Sequence, residues 1–217
     1  MVSSYEPPKY VTVYIDGFNM YHALDMLNQN HLKWVNYTKL SESFLRADER
    51  LLKVYLFTSL TTLSEDKRFR NQAFLDASRA VGIELIQARF AKTKKYCVKQ
   101  EKYCKFWVEK GNDVALAVQM LADAHAGATH RIILVTADTD QIPAVNYIQK
   151  RFPEIEISLF IPPGRKDIAR DLGKMVATNP VEISRGRIEA CLLPNEIIAA
   201  NGEVVSMPVQ YLKPNSL

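Results

Sequence analysis

Arg131-Ile-Ile-Leu-Val-Thr-Ala-Asp-Thr-Asp140 is an apolar run that stops at two aspartates one residue apart. A run of this length and composition reads as a strand buried on both faces, the kind found in parallel α/β sheets. Ligands of such sheets sit just beyond the carboxyl ends of the strands. Two carboxylates at that position point to a metal or a polyanion-cutting centre, provided that other carboxylates converge on the same spot.

Working outward, strands and helices alternate. Residues 10–15 form a β-branched run that ends at Asp16 and predicts a first strand, followed by a helix to about Leu27. Residues 38–46 predict a short helix and residues 51–58 a strand. Residues 64–81 predict a helix with Glu65 and Asp66 in its first turn and Gly82 as its stop. Residues 83–89 predict another strand, whereas residues 91–110 show no clean period. A helix is expected over residues 112–126, with Val114, Val118, Leu121 and His125 on its apolar stripe. A helix over 142–151 with Pro143 in its first turn, a strand over 155–160 and a helix over 167–176 complete the series. Alternation with short connections argues for a doubly wound, mostly parallel sheet. Residues 1–180 are expected to form this domain. Residues 181–217 are read as an appendage packed on it, with a hairpin around Asn201-Gly202.

Composition sets looser bounds. The chain has 217 residues, 47% of them hydrophobic and 24% charged, with a net charge of +4. These values are ordinary for a globular protein and too mild to establish a nucleic-acid partner by themselves. No stretch approaches the ~20 apolar residues of a membrane span, and the amino terminus lacks the basic start and apolar core of a signal peptide. Cys97, Cys104 and Cys191 are odd in number and thinly spread, which argues against a disulfide framework and for a reducing, cytoplasmic setting.

Asp16 ends the first strand, Asp138 and Asp140 end the later one, and Asp113 opens a helix. All four belong at one rim if that helix leads down from the top of the sheet. Two unit charges ~4 Å apart repel by ~4 kcal/mol at an effective dielectric of ~20. A divalent cation or shared protons must relieve that repulsion. Hard oxygen ligands favour Mg²⁺ or Mn²⁺, one or two ions. Each residue also has a plainer role open to it. Asp140 suits the N-cap of the helix near Ile142, Asp113 complements its own helix, and Asp16-Gly17 suits a tight turn. Taken together, three separate element ends supplying aspartate to one rim favour function. Asn19 falls one turn into the first helix, within reach of a carboxylate or a phosphate, and Thr136 and Thr139 bracket Asp138.

Three blocks carry a family resemblance: Tyr14-Ile-Asp-Gly-Phe-Asn-Met-Tyr-His22, Glu109-Lys-Gly-Asn-Asp-Val-Ala-Leu-Ala-Val118 and Leu134-Val-Thr-Ala-Asp-Thr-Asp140. They resemble, in order, the signature blocks of NYN domains, the LabA-like (DUF88) branch of the PIN-like nucleases. The resemblance implies a PIN-like, Rossmann-like three-layer α/β sandwich with a central, mostly parallel sheet of about five strands in the order 3-2-1-4-5. The strands ending at Asp16 and Asp138 are then adjacent, at the topological switch point. The resemblance also implies that Asp16, Asp113, Asp138 and Asp140 hold metal and that Asn19 matches the asparagine of the first block. This chain departs from the pattern at Gln141, where an aromatic is usual, at Ala137 in place of a common glycine, and at Asn112 in place of an aliphatic residue.

Residues 92–107 interleave Lys92, Lys94, Lys95, Lys99, Lys102 and Lys105 with Tyr96, Tyr103, Phe106 and Trp107. Phosphate contacts plus stacking platforms suit single-stranded nucleic acid, although a solvated lysine-rich loop would carry the same residues. Lys110, Arg165 and Lys166, with Lys67, Arg68 and Arg70, are expected on the same edge. Cys97 and Cys104 are two thiols short of a full zinc site. The leading expectation is a metal-dependent endoribonuclease acting on single-stranded RNA. The rivals are an NYN-type RNA-binding or regulatory module with little or no turnover, and a different metal enzyme such as a nucleotide-sugar transferase or phosphatase.

Overall fold

The computed structural model describes residues 7–59, 64–97 and 101–213. Its centre is a six-stranded sheet of β1 (Lys9–Asp16), β2 (Glu49–Thr58), β3 (Glu84–Gln87), β6 (Arg131–Val135), β7 (Glu156–Ile161) and β8 (Val181–Glu182), in the order β3-β2-β1-β6-β7-β8. Every pairing in it is parallel. The strands form because their β-branched and aromatic runs bury alternate residues on opposite faces. Val11, Val13, Ile15, Val54, Leu56, Ile133 and Val135 enter one core cluster, and Tyr14, Tyr55, Phe57, Ile132 and Leu134 enter the other. Burying one such side chain contributes roughly 1.5–3 kcal/mol.

Helices cover both faces. On the first lie α1 (Gly17–Met26), α2 (Tyr37–Glu42) and α7 (Arg185–Glu189), through Met20, Leu24, Leu40 and Ile188, and α3 (Glu65–Ala80) adds Leu75. On the second lie α4 (Asn112–Ala126) and α5 (Ile142–Arg151), through Leu116, Met120, Val145 and Ile148. This is the three-layer α/β sandwich expected, with one strand more than the five anticipated. The extra strand is β8, which pairs with the end of β7 at Phe160↔Val181.

Three sequence expectations change. Residues 91–110, which lack a clean period, form β4 (Arg89–Cys97) and β5 (Lys102–Lys110), an antiparallel ribbon separate from the main sheet. A two-stranded ribbon outside the sheet layers is not held to the inward–outward alternation that a buried face imposes. The apolar stripe of α4 is also different: Asn112, Leu116, Met120 and Ala124 are buried, whereas Val114 and Val118 are 66% and 58% exposed. The helix is apolar on more than one side, so periodicity alone does not choose the buried stripe. The helix expected over 167–176 is reduced to α6 (Arg170–Gly173), preceded by turns from Arg165 to Ala169.

Beyond the sheet, the chain returns across α3. β9 (Glu196–Ile198) and β10 (Val204–Ser206) form the hairpin expected around Asn201-Gly202. Ile197 and Tyr211 join Trp34, Ala77 and Leu193 in a third cluster, and Trp34 Nε1 donates to the Pro194 carbonyl at 2.8 Å. At the opposite end of the sheet from the carboxyl rim, Arg131 Nη1 and Glu49 form a buried pair at 2.8 Å. Arg131 Nε also donates to Ser158 Oγ at 2.9 Å, which satisfies the charge by hydrogen bonding rather than by solvent.

Candidate functional site

β1 and β6 lie side by side, with Ile15 opposite Val135, so the chain leaves both strands at one level. From β1 it crosses toward β2, and from β6 toward β7. That divergence makes the rim between them the switch point of the sheet. Asp16 is the last residue of β1 and the N-cap of α1. Asp138 caps the short turn Thr139–Gln141 that follows β6. α4 starts after Gly111, whose φ of +96° is a left-handed conformation that glycine adopts without Cβ strain. Its second residue is Asp113.

These three elements bring Asp16, Asp113 and Asp138 together, with one ligand oxygen from each within 4.8 Å of the others. Asp16 is 2% exposed, and Asp113 and Asp138 are half-buried. Burial pushes the Asp16 carboxyl above its ordinary value, and the charge of Asp138 pushes it further. Hydrogen bonds oppose that rise: Asn19 donates to Asp16 through its backbone N at 3.0 Å and its Nδ2 at 2.9 Å, and Thr136 Oγ1 donates at 2.9 Å. Thr136 Oγ1 also accepts from Asp138 N at 3.0 Å, and Asn19 Oδ1 accepts from Ala137 N at 3.4 Å. Asn19 and Thr136 therefore tie the first aspartate to the loop that carries the third. A mutually repelling, partly dehydrated trio of carboxylates with its outer oxygens already oriented fits a hard divalent cation.

Gly17 is required by the same geometry, because a Cβ there would stand 2.5 Å from the Phe57 carbonyl oxygen of β2. Gln141 is 1% exposed and donates from Nε2 to the Asp113 carbonyl at 3.3 Å. Where the resemblance leads one to expect an aromatic, this chain places an amide that links the Asp138 loop to the first turn of α4. Periodicity and motif spacing give no signal for that link.

Asp140 lies outside the trio. Its carboxylate is exposed, and its backbone N donates to Asp138 Oδ1 at 2.9 Å. Lys110 is exposed at the end of β5, three residues before Asp113, and Lys166 is exposed in the loop after β7. Arg165, half-buried, shares that loop. Lys94 is exposed on β4, and the exposed Tyr96 and Tyr103 meet edge to face across the ribbon at 5.4 Å. In register, Lys94 stands opposite Lys105 and Arg89 opposite Lys110. The side chains of Lys92, Lys95, Lys105, Phe106 and Trp107, and all of Lys99, lie outside the described residues. Cys97 and Cys104 form no disulfide and join no metal-type group among the described residues.

The sequence profile of the NYN domain matches residues 10–176. The chain belongs to the NYN domain family. The match takes in all three aspartates of the trio and ends just before β8, so the NYN profile spans five strands of the sheet together with the ribbon. Over 91 residues, or 41% of this chain, the NYN protein is 32% identical to 6-hydroxy-3-succinoylpyridine 3-monooxygenase of Pseudomonas putida. The alignment spans 29% of that relative's length. A protein of unknown function from Vibrio parahaemolyticus shares the fold at a TM-score of 0.56 and 16% identity, covering 88% of this chain and 100% of its own. No helix among the described residues of this NYN protein is long and apolar enough to cross a membrane.

Proposed function

We propose that this NYN domain is a metal-dependent endoribonuclease that hydrolyses phosphodiester bonds of single-stranded RNA. The observation that carries the proposal is the convergence of Asp16, Asp113 and Asp138 from three separate elements to within 4.8 Å. These residues would hold one or two Mg²⁺ or Mn²⁺ ions, with Asp140 at the open side of the group. When bound, such an ion would lower the pKa of a water and offset charge at the leaving oxygen. Asn19 and Thr136 aim Asp16 and oppose the rise in its pKa that burial causes.

Lys92, Lys94, Lys95, Lys110, Arg165 and Lys166 are proposed to hold the phosphates of the strand. The ribbon supports this role because its register sets basic positions opposite one another, Lys94 with Lys105 and Arg89 with Lys110, so that cationic residues recur along it. Tyr96 and Tyr103 offer exposed rings for stacking. Family membership supports nucleic acid as the ligand class.

The test is to incubate labelled single-stranded RNA with the purified protein, with Mn²⁺ or with EDTA, alongside Asp138→Asn. Cleavage that is lost both in EDTA and in the variant is expected. RNA binding by the wild type, in Mn²⁺ as in EDTA, without cleavage would overturn the nuclease. It would favour a second reading, an RNA-binding or regulatory NYN module. The exposed position of Asp140 outside the trio supports that rival.

A further inference from the structure

A cavity of about 460 Å³ opens at the same rim, on the α1 and α3 side of β1 rather than the α4 side. Gly17, which directly follows Asp16, forms part of its wall, so the cavity adjoins the carboxylate group. Tyr37 and Phe74 stand edge to face at 6.0 Å along its lining. Lys67 and Arg70 also line it, and neither has a carboxylate at ion-pair distance among the described residues. Asp25, at its edge, is paired to Lys33 and also lies within the field of Lys67.

Two polar atoms in the lining have no hydrogen-bond partner among the described residues. Ser59 is 4% exposed, and its Oγ has no hydrogen-bond partner among the described residues. The Oδ1 of Asn71 is likewise buried and unpartnered. Leaving buried polar atoms without partners costs stability, and two in one aromatic-walled cavity mark where a ligand's polar edge belongs. Lys67 and Arg70 call for an anion on the same ligand. A flat ring, a hydrogen-bonding edge and a phosphate together describe a nucleotide.

We infer that this cavity binds one nucleoside monophosphate unit. Its base would lie against Tyr37 and Phe74 with its edge toward Ser59 and Asn71, and its phosphate would be held by Lys67 and Arg70. In a strand, that unit would flank the phosphate at the carboxylates. The strand form rests on the RNA-cleavage proposal, whereas the binding of the unit itself does not.

The experiment titrates the four nucleoside 5′-monophosphates, ribose 5-phosphate and inorganic phosphate into the full chain in EDTA, followed by NMR shifts and calorimetry. At least one monophosphate is expected to bind about tenfold or more tightly than ribose 5-phosphate, because stacking and the base edge add to the phosphate contacts. Arg70→Met is expected to weaken it by about tenfold or more, and Asn71→Leu to flatten the preference among bases. Circular dichroism checks that both variants fold. If no monophosphate binds more tightly than ribose 5-phosphate, or if both folded variants bind as wild type does, the inference is overturned. Displacement by a single-stranded oligonucleotide identifies the unit as part of a strand, and binding without displacement identifies a free mononucleotide; both support the cavity assignment. Because EDTA silences metal-dependent turnover, failure here leaves the nuclease proposal standing, and failure of cleavage leaves this result standing.

Discussion

Asp138→Asn separates the role of the carboxylate trio in function from its cost to folding. Asp138 Oδ1 accepts from Asp140 N at 2.9 Å, a capping bond that an asparagine oxygen keeps. The change therefore removes one charge from a group whose oxygens lie within 4.8 Å. Two unit charges at that separation repel by about 3.5 kcal/mol at an effective dielectric of about 20. Asp138 is half-buried, so water and salt screen the interaction, and about 1 kcal/mol is expected to survive. For a chain of this length that corresponds to a Tm rise of roughly 2–4 °C for the variant in EDTA. Mn²⁺ should reverse the order. A bound ion stabilises the native state by about 2.7 kcal/mol at a hundred times its dissociation constant, and the wild type should gain far more from it than the variant. Thermal unfolding by circular dichroism, with EDTA and across a Mn²⁺ series, reads both arms. A variant that melts below wild type in EDTA, with both proteins responding equally to Mn²⁺, would refute the reasoning.

Gly17→Ala drives a Cβ toward the Phe57 carbonyl and should destabilise the fold by roughly 1–3 kcal/mol while weakening Mn²⁺ binding, read by urea unfolding and calorimetry. Arg131→Met removes one of the two cationic partners of the buried Glu49, which keeps the Arg46 backbone N at 2.7 Å and the Arg46 guanidinium at 3.6 Å, and should cost about 1–3 kcal/mol in the same urea assay. Hydrogen bonding to Arg46, at 2.7 Å, holds the Glu156 carboxyl below its ordinary value. A depressed folded value means that this stabilisation is present above the unfolded glutamate pKa of about 4.3 and is lost as pH falls through the folded one. Glu156→Gln should therefore lower the urea midpoint at pH 7, and the gap to wild type should close below about pH 4.

Much of the fold was legible because burial on both faces leaves its mark on composition. The apolar runs at 10–15, 51–58, 131–135 and 155–160 became β1, β2, β6 and β7 because a sheet covered by helices on both faces tolerates few polar residues. The ribbon of β4 and β5 was not legible, because it lies outside the layered core and carries no such mark. The stripe of α4 was misassigned for the opposite reason: Val114 and Val118 are as apolar as Leu116 and Met120, so composition offered two faces. Packing against the sheet and α5 selected one of them. The cavity between α1 and α3 left no sequence signal, since Gly17, Tyr37, Asn71 and Tyr211 are gathered from separate segments.

The amino-acid order alone determined the parallel α/β architecture and the aspartates that close its strands, because hydrophobic period and strand-end residues are local properties of the chain. Distance was decided by the tertiary structure. Asp16, Asp113 and Asp138 meet, and Asp140 does not join them, because the level at which β1, β6 and α4 reach the rim follows from strand register and helix packing. No local pattern encodes that level. The link from Gln141 to Asp113 and the nucleotide-sized cavity beside Asp16 likewise exist only once segments far apart in the chain are packed together.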